Sequence, residues 1–138
     1  NYDKEVLAKL KAFPDKIGVS IEKYRFREAL AEFMNLARLG NKYLADTEPW
    51  KLKKTDEKRT ETVLNIAMQI AASLAVLSEP FMPFSSDKLK EILAITNISW
   101  SNAGGKIISD NHKINPAIHL FNTIEDEKIE EQLEKLQY

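Results

Sequence analysis

The sequence predicts an all-α protein, a helical bundle. Apolar residues recur at steps of three and four over long stretches. Prolines, glycines and polar turns cut those stretches into helix-sized segments. One segment, Val63 to Leu77, is apolar nearly all round, as the central helix of a bundle would be. With 138 residues, 43% of them apolar and 30% charged, the chain is long enough for one domain with a real core.

Val6, Leu7, Leu10, Phe13, Ile17 and Ile21 predict a first helix over about residues 3–24. Pro14 lies inside it, so a bend or two abutting helices are expected there. Phe26, Leu30, Phe33, Ala37, Gly40 and Leu44 place one face of a second helix, about 26–46, against the core. Gly40 on that stripe implies a closely packed neighbour. Pro49 ends the helix, because the residue before a proline is driven from helical angles.

Thr55 or Asp56 caps a third helix over about 57–78, in which Asn65, Gln69 and Ser73 form one narrow polar stripe. The apolar stretch is shorter than the ~20 residues of a membrane span. A buried core helix is therefore expected. Pro80 and Pro83 stop it, and Ser85 or Ser86 caps a short helix with Leu89, Ile92 and Leu93 inward. Residues 96–122 read as an irregular connection, with turns at Gly104-Gly105 and Asp110-Asn111-His112 and short extended pieces at Ile107-Ile108 and Ile114. A C-terminal helix within 124–138 carries Ile129, Leu133 and Leu136 on one face.

The chemistry expected of an enzyme is missing from this pattern. There is no cysteine, hence no disulfide and no thiol chemistry, which fits a reducing compartment. His112 and His119 lack the spacing of metal ligands, and no glycine-rich phosphate loop or nucleophile elbow occurs. Glu130 and Glu131 belong to a solvated polar helix. No catalytic residue, metal or cofactor is expected, and the chain reads as a binding domain.

Charge is uneven. Residues 1–60 hold 14 Lys and Arg against 10 Asp and Glu, whereas residues 124–138 hold two against six. The first half therefore tolerates an anionic partner. Trp50 follows a helix-ending proline and is flanked by Lys51, Lys53 and Lys54. An aromatic ring beside ammonium groups suits unpaired nucleotides, with bases on the ring and phosphates on the lysines. The same residues also allow Trp50 to be a hydrophobic staple closing the bundle, or the anchor of a helical protein-interaction or scaffold domain.

Asn41 and Tyr43 followed by Glu48-Pro49-Trp50-Lys51-Leu52 resemble the signature of the anticodon-binding domain of methionyl-tRNA synthetases. Leu77-Ser78-Glu79-Pro80-Phe81-Met82-Pro83 before Ser85-Ser86, and Leu120-Phe121 before Ile124-Glu125-Asp126-Glu127, are similar to two further segments of that family, in the same order. Trp100 and the stretch from Lys113 to Pro116 also fall where the family has them. The resemblance covers residues 1–138 and implies a bundle of the class I aminoacyl-tRNA synthetase anticodon-binding type. It implies methionine tRNA as the partner, bound through the anticodon loop, and a cytoplasmic protein with no membrane partner. It further implies a catalytic domain in the same polypeptide, where ATP is used.

The family's tryptophan at the position of Trp50 stacks on an anticodon base at or next to the wobble cytosine. Asn41 and Asp46 become candidates for an anticodon contact or a structural polar contact. For Asn41 a buried, hydrogen-bonded tie between helices is the expected role. Lys51, Lys53, Lys54 and Arg38 become candidate phosphate contacts, followed by Arg25 and Arg27, and Trp100 is assigned to packing. The family often has an acidic residue where Ala45 stands, and a proline and a basic residue at Asn122 and Thr123. Its catalytic signatures are absent. So is the leading helix, which carries an asparagine and an arginine that read the anticodon; the domain is expected to lack that first helix here.

Overall fold

The computed structural model describes residues 1–136. Helix α1 runs from Tyr2 to Glu22, with the Asn1 side chain accepting the Asp3 amide as N-cap. Pro14 neither divides nor ends it. Proline removes the donor that the Leu10 carbonyl would otherwise receive. Gly104 lies against that carbonyl so closely that a Cβ would come within 3.0 Å of the oxygen, and its φ of +81° is one glycine adopts freely. The helix stops in a Schellman motif. Tyr24 takes a left-handed φ of 59°, its amide donates to Ile21, and the Arg25 amide donates to Ser20.

Helix α2, Phe26–Thr47, buries Ala29, Phe33, Leu36 and Tyr43. The stripe starting at Phe26 and Leu30 was the expected core face, yet both side chains are exposed. The series 29, 33, 36, 40, 43 keeps the same steps of three and four and shares Phe33 and Gly40 with the expected one. Periodicity therefore fixes the helix but leaves its rotation open by about one residue. Gly40 is where α4 comes close: a Cβ there would meet Ile70 Cγ2 at 3.1 Å.

A one-turn helix, α3 (Pro49–Leu52), follows directly and was not expected from the sequence. The sequence marks Pro49 as a breaker, but proline is equally suited to the first position of a new helix. Helix α4, Glu57–Leu77, is capped by Asp56, whose side chain accepts the Arg59 amide. By length and composition α4 could cross a membrane. Here it is the central helix, in contact with α1, α2, α3 and the helix that follows.

The polar stripe of α4 organises the irregular segment. Gln69 Oε1 accepts the amides of Ile107 (2.8 Å) and Ile108 (2.9 Å), and its Nε2 donates to the Ile108 carbonyl at 2.7 Å. Ser73 Oγ accepts the Gly104 amide at 2.9 Å. Ile107 and Ile108 form no strand, because a side chain rather than a neighbouring chain satisfies their backbone. Ile108 is thereby held in a second core cluster with Ala72, Ala75, Leu93 and Ile95.

Helix α5, Pro83–Ile92, takes Met82 as its N-cap without a side-chain bond, so neither Ser85 nor Ser86 caps it. Pro83 occupies the first helical position and pushes both serines into the first turn. Ser86 Oγ donates instead to the Ala75 carbonyl at 2.5 Å. A second Schellman motif ends α5 at Ala94, φ 51°. The carbonyls there are also met from afar: His112 Nε2 lies 2.7 Å from the Leu93 oxygen, Asn115 Nδ2 donates to Glu91 and the Asn115 amide to Ile92. A 3-10 turn at Trp100–Asn102 sets the Trp100 indole N–H on the Pro14 carbonyl at 3.2 Å, so Trp100 packs. From Pro116 to Leu136 nearly every residue is exposed, including Ile129 and Leu133 on helix α6, Asp126–Lys135, and its C-cap Leu136.

Candidate nucleic-acid interface

The chain reverses direction between α2 and α4 through α3, and Trp50 rides on that reversal. Glu48 makes the corner with a left-handed φ of 44°. Pro49 behind it is buried, while Trp50 is 58% exposed. Pro49 and the half-buried Leu52 make the packing contacts of this turn with the core. The turn closes on itself through Lys51 and Leu52 amides on the Glu48 carbonyl and the Asp56 amide on that of Leu52.

Beneath this turn lies a buried polar knot. Asp3, only 7% exposed, accepts the Tyr43 hydroxyl at 2.9 Å on Oδ1. The same carboxylate receives the Arg59 guanidinium as a fork, Nη2 to Oδ1 at 2.9 Å and Nη1 to Oδ2. Arg59 holds the Asp3 carboxyl below its ordinary value, with Tyr43 adding to the effect. Burial, and then the bond to Asp3, pushes the Tyr43 hydroxyl upward. Alongside, the Tyr2 ring packs 5.6 Å from that of Tyr43. Its hydroxyl donates to Asp46 at 2.7 Å, which pushes Tyr2 up to about 12 and draws Asp46 down.

The family model described as the anticodon binding domain of methionyl tRNA ligase matches residues 1–137. The chain belongs to that family. It is 54% identical over 143 residues to the methionine–tRNA ligase of Christiangramia forsetii, an alignment covering 98% of this chain and 21% of that protein. The methionine–tRNA ligases of Flavobacterium psychrophilum (51% identical) and Cytophaga hutchinsonii (52%) match 98% of this chain and 20% of their own lengths. The chain thus spans about a fifth of the length of these curated relatives.

Within this anticodon-binding domain the candidate residues divide by what already holds them. Asn41 is exposed, so it is not the buried tie between helices that its place beside Gly40 suggested; the core face of α2 passes through Gly40 and Tyr43 and leaves Asn41 outside. Arg38, three residues earlier, is also exposed, and its Nη1 donates to Asn35 at 3.0 Å. Asp46 is engaged with Tyr2 and with Lys42 Nζ at 2.9 Å. Lys51 Nζ pairs with Glu48 at 2.7 Å, whereas Lys53 and Lys54 are exposed and make no ion pair among the described residues. Arg25 and Arg27 sit at the α1–α2 turn, at the other end of α2, and are not brought to Trp50.

Sequence reading missed Asp3, Tyr2 and Arg59 as parts of the site. A signal was available. Asp3 is in register with Val6, Leu10, Phe13 and Ile17, and Arg59 with Val63, Ile66 and Ile70, so each is a charge on its helix's apolar stripe. Two opposite charges on core faces call for each other, because a buried charge persists only when paired.

Proposed function

We propose that this domain reads the anticodon loop of methionine tRNA for a methionine–tRNA ligase, with Trp50 as the stacking platform for an unpaired base. The observation that carries the reading is the exposed Trp50 on a turn whose Pro49 is buried and whose Leu52 is half-buried against the core. A ring left in water beside Lys53 and Lys54, which make no ion pair among the described residues, meets the requirements of a single-stranded nucleotide: a flat face and cations for its phosphates. Family membership favours tRNA over a partner protein as what that ring meets. Lys53 and Lys54 serve as phosphate contacts ahead of Lys51, which must first leave Glu48. Asn41 and Arg38 remain available for base or backbone contacts, and Asp46 acts through Tyr2. Adenylate chemistry with ATP belongs to the catalytic domain of the same cytoplasmic polypeptide, which this domain serves by holding the far end of the tRNA.

Binding of the methionine anticodon stem-loop to Trp50→Ala tests the reading. Loss of a base-stacking ring costs about 1–3 kcal/mol, a 5- to 150-fold fall in affinity. Trp50→Phe recovers part of it. Melting temperature should stay nearly constant, since the ring is mostly in water. Unchanged affinity with a lowered melting temperature would make Trp50 structural. Replacing Lys53 or Lys54 should weaken binding to any RNA and flatten its salt dependence by about 0.7 for each phosphate no longer neutralised.

A further inference from the structure

We infer that Asp3, Tyr43 and Arg59 are positioning residues for anticodon recognition: one buried carboxylate grips both legs of the turn that presents Trp50. The inference rests on the stacking role proposed for that ring. Tyr43 stands on the last turns of α2, before the turn begins, and Arg59 on the first turn of α4, after it ends. Both donate to Asp3, at the start of α1. Between the two anchors the backbone folds through the left-handed Glu48, α3 and the Asp56 cap.

An exposed ring gains no orientation from packing on its solvent side. Its direction comes from the backbone beneath, and that backbone is fixed where its two legs are fixed. With the legs tied to one point, stacking a base requires little further ordering of the protein. With one leg released, RNA must supply that ordering from its own binding energy. Thr47 Oγ1, donating to the Tyr43 carbonyl at 2.7 Å, and Thr60 Oγ1, donating to the Asp56 carbonyl at 2.8 Å, extend the ties along each leg. Tyr2 and Asp46 make a second, more exposed bond between α1 and the same end of α2. Among the described residues no buried polar side-chain atom is left without a partner, so the knot is complete as it stands.

The test uses the full-length protein carrying Tyr43→Phe, which removes the hydroxyl and keeps the ring, with Arg59→Lys as the second variant should the first fail to fold. Tryptophans are replaced by 5-fluorotryptophan, and the Trp50 resonance is the one lost in Trp50→Phe. Stem-loop affinity is measured in the native and Trp50→Ala backgrounds. Removing one hydrogen bond from the knot should lower affinity about 3- to 10-fold. It should have no further effect once Trp50 is alanine, and the Trp50 fluorine resonance should shift or broaden while that of Trp100 stays. Arg59→Lys, which keeps the charge but not the fork, should do the same.

An affinity loss of equal size in both backgrounds would show that the knot acts on something other than Trp50 and would overturn the inference. So would an unmoved Trp50 resonance. If Trp50→Ala alone leaves affinity unchanged, the anticodon-stacking reading fails. The fluorine resonance then still decides whether the knot orients the ring.

Discussion

Helices α2 and α6 carry the same kind of message in sequence and end in opposite circumstances. Each repeats apolar residues at steps of three and four, and each has charges on the other face. In α2 the stripe is sealed against α1 and α4, and Leu36 and Tyr43 are wholly buried. In α6 the stripe of Ile129 and Leu133, continued by the C-cap Leu136, lies open, with Leu133 55% exposed. Periodicity states what a helix could bury; only a facing helix decides whether it does. The boundary between the two regimes is Asn115, the last among the described residues whose side chain is bonded to the bundle, at the carbonyl of Glu91.

The largest expected effect tests that contrast directly. Leu36→Ala should cost about 2–5 kcal/mol, since it removes a fully buried side chain and leaves a cavity. Leu133→Ala should change stability by no more than about 0.5 kcal/mol. Urea unfolding of both variants measures the difference. A loss above about 1 kcal/mol at Leu133 would break the comparison, because that size needs burial.

Acid titration should sharpen the contrast further, because the bundle end is held by a carboxylate. Asp3 has its folded pKa lowered from 3.8, through Arg59 first and then Tyr43. Its contribution is therefore fully present above 3.8 and is lost as pH falls through the lower folded value. Against Asp3→Asn, the wild-type advantage should be constant near neutrality and shrink only below about pH 4. At the alkaline limit the sign reverses. Tyr2 is raised from 10.0 to about 12, so its contribution is intact below 10 and fades toward 12. Tyr2→Phe should remove the Tyr2 share of that alkaline dependence and leave the share due to the raised Tyr43. A pH-independent difference between wild type and Asp3→Asn would mean that the Arg59 fork does not persist in solution.

The sequence made the long helices, their order, a cap at Thr55 or Asp56 and the exceptional place of Trp50 legible. Each rests on local chemistry: a periodic stripe, a capping side chain, a proline beside an aromatic. The rotation of α2 was not legible, since two stripes sharing Phe33 and Gly40 fit the same steps. The one-turn α3 was hidden because Pro49 ends one helix and begins another. The fate of Asn41 followed from the rotation. Asp3 and Arg59 lie far apart in sequence, and their partnership emerges only when α1 and α4 are brought together at one end of the bundle.

The smallest expected effect lies at the joint between the two regimes. Ala94 holds a left-handed φ of 51° where α5 ends and the chain turns toward the open arm. A β-carbon in that region costs about 1–2 kcal/mol. Ala94→Gly removes the cost but adds about 0.5–1 kcal/mol of backbone entropy to be lost on folding. The Ala94 methyl is half-buried, so its removal takes back a further part of the gain. The balance is a stabilisation of about 0.5 kcal/mol, seen as a small rise in the urea midpoint at unchanged slope. Ala117→Gly, made just past the joint on the exposed arm, has no left-handed strain to relieve and should leave the midpoint where it is. If Ala94→Gly destabilised the protein, the Schellman geometry would not be what ends α5. The His112 and Asn115 contacts to its last carbonyls would then carry the joint alone.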